Sequence, residues 1–497
     1  MPVDYDLVIL GGTLEGRIAA RAAVGYGARV ALVEPPGLFA QRQQASYLLC
    51  ALQQLADGQR QQAVSSLFYQ SAFPQAERQF ASQSLGNAAL SLNWEAVLEW
   101  SRIASETQLP DLALTALGAA GVDVIAAMPE GLSRRLTVTV AQRQLTARAV
   151  LAAYGSVPYP IFEAGVGALA RPALTGIESL LQAKALPESL WIWGGSPESV
   201  MWADALGALG VKVTLVADRL LRYEDSEVRG YVRSQLIISG IQIVTSAEVI
   251  NRASKSNLQT IAETSLFLER RKPAFVLPDS VQRPVVQYPD AEYPRQGRTY
   301  LFSNKYLQLA HPRLFACGSL LHGRAVHRAV AQQEALVAVK NALFWPNQSV
   351  DYGLIPEGYG HFARVGVTPK FAQEGSVPYS ADRDYRVWTA SSSNSTDLSR
   401  LSPQPALCKL ICKRDKLQSI HLLGDGANEL IEPLALMIGR PVNDLLVAVE
   451  RLPGLPTAQS LSGLVRTAAQ KATRSRWQPG NWRRDWAENW FNWRRSR

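Results

Sequence analysis

"DLVILGGTLEGRIAARAAVGYGARVALVE", Asp6 to Glu34, divides into a short apolar run, a glycine turn, a segment of helical spacing and a second β-rich run. Leu7 to Leu10 enters the turn Gly11-Gly12-Thr13, Ile18 to Val24 repeats apolar residues at helical intervals, and Arg29 to Val33 returns to a β-rich pattern before Glu34. This is a βαβ crossover. A crossover that holds a dinucleotide needs glycine where backbone approaches a diphosphate and a helix N-terminus that points free N–H groups at it. It also needs an acid after the second strand to bond a ribose hydroxyl. Gly11, Gly16 and Glu34 meet those needs and Gly12 completes the turn, while Thr13 stands where the middle glycine is usual. A side chain of that size narrows the approach without closing it. The segment alone therefore leaves two readings open, a nucleotide site and an α/β unit that binds nothing.

A second unit of the same form begins at Leu190, "LWIWGGSPESVMWADALGALGVKVTLVADR", with the turn Gly194-Gly195-Ser196. Its third glycine is replaced by Ser199, and Ala217 follows the strand where an acid is expected, so this copy is the weaker nucleotide candidate. Between the units lie a Gln-rich helical region, roughly 41–104, and a β-rich return through "RRLTVTVAQRQLTARAVLAAYGSVP". Gln41, Gln43 and Gln44 read as helix surface. A Ser-rich loop, 391–405, precedes "ALCKLICKRDKLQSIHLLG", which alternates as two antiparallel strands, and two helical runs follow it. These features describe a separate α+β domain.

The chain has 497 residues, 47% apolar and 19% charged, which predicts a globular protein of two or three domains. "MPVDYDLVIL" reads as a first strand rather than a signal peptide, and no run of eighteen apolar residues predicts a membrane span. Cys50, Cys317, Cys408 and Cys412 are too scattered for a disulfide framework or a zinc site, which predicts reduced thiols, no metal and a cytoplasmic location. The net charge of +9 is concentrated at the C-terminus, because nine basic and two acidic residues follow from Arg466 onward. A near-neutral body with a basic end predicts one local anionic contact and no nucleic-acid partner.

The last 21 residues, "WQPGNWRRDWAENWFNWRRSR", hold five of the twelve tryptophans. As a helix, Trp482, Trp486, Trp490 and Trp493 fall within roughly an 80° arc, with arginines off that stripe. The pattern suits a membrane interface and equally a protein partner, so 477–497 is the candidate contact for a membrane surface or a membrane-protein complex. His322 and His327, five apart, do not share a helix face and read as surface or capping residues.

Two dinucleotide units, the first interrupted by the second and followed by an α+β domain, resemble the flavoprotein pyridine nucleotide-disulfide oxidoreductases, the family of dihydrolipoamide dehydrogenase, mercuric reductase and glutathione reductase. "VILGGTLEG" with Glu34, "ARAVLAAYGSVP", "RLFACGSLLHGRAVHRAVAQQEALVAVKNAL", "IPEGYGHFARVGVT" and "CKLICKRDKLQSIHLLGDGANELIEPLALMI" carry the resemblance in order. It implies an α/β fold of two Rossmann-like domains, the second inserted in the first, with a C-terminal α+β dimerisation domain. The implied limits are 1–160 with 285–350 for FAD, 161–284 for NAD(P), 351–470 for dimerisation, and a basic tail over 471–497. It implies FAD at Gly11, Gly12, Thr13, Gly16, Glu34, Gly155, Gly318 and Ser319, NAD(P)H at Gly194, Gly195 and Ser196, and a homodimer.

The departures from that family carry equal weight. Its redox-active CxxxxC falls in "EPPGLFAQRQQASYLLCALQQL", where Cys50 stands alone and no intramolecular bridge can form. Its His-Pro-Thr-x-x-Glu run corresponds to "GLPTAQS", with Leu455 for the histidine and Ser460 for the glutamate, and leucine transfers no proton. Disulfide exchange as that family performs it is thus excluded, and no catalytic residue is assigned. Ser319 replaces the aspartate that bonds the ribityl chain, which removes ~1 kcal/mol or more of binding. Met201 and "ERRKP" weaken the nicotinamide site. Two expectations remain, an FAD-dependent NAD(P)H oxidoreductase acting on a quinone or other small acceptor, and a catalytically silent homodimeric scaffold that binds a membrane or membrane-protein complex through its tail.

Overall fold

The computed structural model describes residues 3–72, 92–154, 157–159, 176–217, 219–244, 275–278, 281–283, 301–322, 326–368, 384–392, 406–451, 460–477 and 482–496. They form two compact units. The first comprises 1–59, 73–221 and 236–350, and the second 60–72, 222–235 and 351–497.

The first unit is built on a seven-stranded sheet of β1 (Tyr5–Leu10), β2 (Val30–Val33), β3 (Val122–Ile125), β4 (Pro129–Leu132), β5 (Thr137–Val140), β6 (Arg143–Ala152) and a strand at Leu314–Ala316. The order β3-β2-β1-β6 is parallel, with Leu7 opposite Val30 on one side and Ala149 on the other, while β5 and β4 continue it antiparallel. Helix α1 (Leu14–Gly25) makes the crossover from β1 to β2. Leu7, Val8, Ile9 and Leu10 are all buried because both faces of the sheet are covered, as a parallel sheet requires. Leu7 and Ile9 pack with Ala19, Ala20 and Ala23 of α1 and with Ala335 and Ala338, whereas Val8 and Leu10 point the other way, toward Val138, Tyr154 and Leu320. The alanine faces let two helices lie close to the strands.

Helix α2 (Leu38–Ala72) begins in this unit as the Gln-rich segment, and α3 (Trp94–Thr107) follows it. Gln43 departs from the surface expectation. It lies four residues beyond Phe39 on the inward stripe of α2, is buried, and its Nε2 has no hydrogen-bond partner among the described residues. A second, four-stranded parallel sheet contains Ser189–Trp193, Lys212–Val216, Gln242–Val244 and Phe275–Pro278, with helix α4 (Pro197–Ala208) after its glycine turn. Helix α5 (Arg328–Leu343) returns along the first sheet beside α1.

The second unit is a five-stranded antiparallel sheet in the order Glu357–Tyr359, Phe362–Gly366, Lys416–Leu423, Leu407–Lys413, Tyr385–Ser391. "KRDK" closes the central hairpin. Arg414 and Asp415 both take positive φ, the two-residue loop whose twist matches that of the strands. Helices α6 (Ala427–Leu434), α7 (Val442–Glu450) and α8 (Leu461–Arg474) share an apolar core with Cys408, Leu410, Ile420 and Leu422, so Cys408 and Cys412 are core residues. Helix α9 (Trp482–Arg495) ends the described chain.

Candidate functional site

The glycine turn after β1 has the backbone of a nucleotide-binding crossover. Gly11 adopts φ +108°, and a Cβ there would overlap the backbone of Tyr154. A Cβ at Gly16 would overlap the carbonyl of Gly11, so both positions demand glycine. Thr13 is the N-cap of α1. Its hydroxyl donates to the Ala153 carbonyl at 2.6 Å and accepts from Gly16 N at a long 3.4 Å. The residue singled out by the sequence is thus turned into the protein, its hydroxyl committed to the Ala153 carbonyl and the helix cap.

What closes the turn is a pair of charges. Arg17 Nη2 lies 2.6 Å from Glu34 Oε1 and its Nε lies 3.1 Å from Oε2, so both carboxylate oxygens are held. The same guanidinium donates to the carbonyls of Gly12 and Leu112 at 3.2 and 3.0 Å and stacks 3.6 Å from the centre of the Phe39 ring. The Glu34 side chain lies directly over Gly12, where a Cβ would overlap its carboxylate. Both charged groups are buried. Burial pushes the Glu34 carboxyl up, and its bonds to Arg17 only partly offset that.

Two more acids border the turn. Glu15, in the first turn of α1, packs its Oε1 2.6 Å from where a Gly318 Cβ would stand. Burial raises its pKa, and the like charge of Glu334 adds to the rise. Glu334 is fully buried on α5 and accepts from Gly318 N at 2.7 Å and pairs with His322 Nε2 at 2.7 Å. Cys317 is buried beside these acids, and burial followed by their charges holds its thiol well above the usual range. Ser319 is buried in the short helix Ser319–His322. His327 caps α5 by accepting from Ala329 N, as a capping residue should, but His322 is half-buried and hydrogen-bonded to Glu334 rather than free at the surface.

A flavin dinucleotide would bring a dianionic diphosphate and a ribose to this place. The described residues do not fit it as arranged: Glu34, the acid placed to bond a ribose, is already bonded to Arg17, and the space above Gly12 is taken by its carboxylate. One atom points the other way. The Tyr154 hydroxyl is buried without a hydrogen-bond partner among the described residues, with its pKa raised by burial and by the charge of Glu34.

The second turn repeats the geometry. Gly194 has φ +139°, Ser196 caps α4 by accepting from Ser199 N at 3.1 Å, and the Arg219 carbonyl packs against Gly195. Gly155 and Leu455 lie outside the described residues. Ser460, at the place of the family glutamate, caps α8 by accepting from Gly463 N at 3.1 Å. Cys50 is exposed and free.

The second unit holds buried charges that the sequence reading missed. Lys409 Nζ is fully buried and lies 2.7 Å from both Asp225 and Glu227. His421 Nδ1 is 2.5 Å from Glu224, and Arg364 lies 2.8 Å from Glu357 and 3.7 Å from Glu224. Ser419 Oγ stands 3.2 Å from His421 Nε2, an order of groups seen in nucleophilic catalysis, but Ser419 is fully buried. These bonds are structural. Arg17 had left one trace in the sequence, a cation in the first turn of a helix, where the dipole favours acids.

The family of pyridine nucleotide-disulphide oxidoreductases matches residues 5–335, and the chain belongs to it. This is a family of FAD-dependent disulfide oxidoreductases that also use NAD(P) and are typically homodimers. Similar proteins include a dihydrolipoyl dehydrogenase of Bacillus subtilis (strain 168), 24% identical over 88% of this chain and 92% of that protein. A dihydrolipoyl dehydrogenase of Acholeplasma laidlawii is 24% identical over 71% of this chain and 100% of its own length. A glutathione reductase of Nostoc sp. (strain PCC 7120) is 24% identical over 64% and 68% respectively.

Proposed function

We propose that this chain is a catalytically silent homodimeric member of its family, a scaffold rather than a reductase, whose contact with other components runs through residues 477–497. The observation that carries this reading is the Arg17–Glu34 pair: the acid that would hold a ribose is bonded at both oxygens by the protein's own side chain. It agrees with the sequence, in which Cys50 has no partner for a bridge and Leu455 and Ser460 replace the acid–base pair. A protein that carries out no redox step needs none of the three.

A second reading is an FAD-dependent oxidoreductase that uses NAD(P)H to reduce a quinone or another small acceptor. The Tyr154 hydroxyl, without a hydrogen-bond partner among the described residues, and the retained glycine turn favour it. It requires Arg17 to release Glu34. The visible spectrum of the purified protein, followed by anaerobic addition of NADH or NADPH, decides between them. The scaffold reading predicts a colourless protein unchanged by either nucleotide, and a yellow protein bleached by one of them would establish the second.

A further inference from the structure

Helix α9 carries a stripe of tryptophans on its outer side. Trp482, Trp486, Trp490 and Trp493 are between 43% and 69% exposed, and their rings form a ladder, Trp486 on Trp490 at 6.0 Å and Trp490 on Trp493 at 5.1 Å between centroids. At ~100° per residue they span roughly 80° of the helix surface. Ala487, off this arc, is the buried residue of the helix. Arg483 and Arg476 hold the segment to the protein by pairing with Asp415, in the hairpin turn, at 3.5 and 3.6 Å. The indoles therefore face outward by construction, with Phe491 and Trp477 also about half exposed.

We propose that this helix lies in the headgroup layer of an anionic lipid bilayer. The choice of lipid over protein rests on composition and charge. Residues 477–497 contain no Leu, Ile, Val or Met, the aliphatic anchors with which an amphipathic helix fills a protein groove, and apart from Pro479 and Ala487 their apolar side chains are all aromatic. Indole is half apolar and carries one N–H donor, which suits the depth of the headgroups and not the hydrocarbon core. Consistent with this shallow seat, no described helix is long and apolar enough to cross a membrane. Four arginines of the helix, Arg483, Arg484, Arg494 and Arg495, against Asp485 and Glu488, make it complementary to anionic headgroups. This deepens the scaffold reading by naming the surface, but it does not depend on the flavin question. A protein that takes up flavin and also binds vesicles refutes the scaffold and upholds the attachment.

The test is flotation of the full-length protein with vesicles of phosphatidylcholine, with and without phosphatidylglycerol. Flotation is expected on the anionic vesicles only, and raised salt should weaken it. Arg494→Gln with Arg495→Gln should lower partitioning roughly thirtyfold, at about fivefold for each basic residue. Trp486→Ala, Trp490→Ala and Trp493→Ala together should abolish it while leaving elution volume and melting temperature unchanged, because those rings are exposed. Absence of flotation on anionic vesicles, or flotation unchanged in the triple variant, overturns the proposal. So does a triple variant that drops to a smaller oligomer while the parent protein fails to float, which would assign the stripe to a second copy of the chain.

Discussion

Arg17→Leu removes one partner of a buried, doubly hydrogen-bonded ion pair and leaves Glu34 charged in a place almost closed to water. Arg17 and Glu34 side chains are 8% and 5% exposed, so the loss follows the rule for buried pairs, about 3–5 kcal/mol. For a unit of this size that lowers Tm by about 10 °C. The pH dependence has a definite sign. Burial already raises the Glu34 carboxyl above its ordinary 4.5, and loss of Arg17 raises it further, so protonation relieves the variant and its deficit is smaller at pH 5 than at pH 8. Thermal denaturation followed by circular dichroism reads both effects. Adding Glu34→Leu removes the stranded charge, and the double variant should be more stable than Arg17→Leu alone. A single variant within about 0.5 kcal/mol of the parent, or a double variant in which the two losses simply add, would refute the pairing.

Three further outcomes follow from other parts of the fold. Burial would raise the Glu224 carboxyl, but His421 and Arg364 overcome it and hold it at about 2. Its contribution, about 3 kcal/mol, is present above pH 4.5 and is lost as pH falls toward 2, so Glu224→Gln should flatten the acid limb of a urea-denaturation series. Lys409→Met takes the cation away from the fully buried Asp225, which keeps its backbone bonds from Glu227 N and Val228 N, and should cost about 3 kcal/mol, part of it recovered by adding Asp225→Asn. Gly11→Ala combines a left-handed φ with overlap on the Tyr154 backbone and should lower stability by roughly 3 kcal/mol or more whether or not flavin is offered, as a melting curve with and without FAD would show.

The architecture around the first turn was legible because period and turn chemistry are local. Leu7 to Leu10, Gly11 and the alanines of α1 specify strand, turn and packed helix without reference to the rest of the chain. The hairpin at Arg414-Asp415 was legible for the same reason. The state of the site was not. Thr13 is what breaks the glycine pattern in the sequence, whereas the closure comes from Arg17 and Glu34, seventeen residues apart and brought together by the crossover. Glu334 and Lys409 were illegible for a related reason: a charged residue in an amphipathic stretch reads as surface until its partners, here Gly318 and His322 or Asp225 and Glu227, arrive from distant segments.

Calorimetric titration of FAD into the purified full-length protein tests the central claim most directly. With Glu34 held by Arg17 and its carboxylate over Gly12, no binding heat should appear at FAD concentrations up to about 100 μM, corresponding to less than roughly 5–6 kcal/mol of binding free energy. Saturable binding at micromolar or lower Kd would contradict it and show that the pair opens for a flavin.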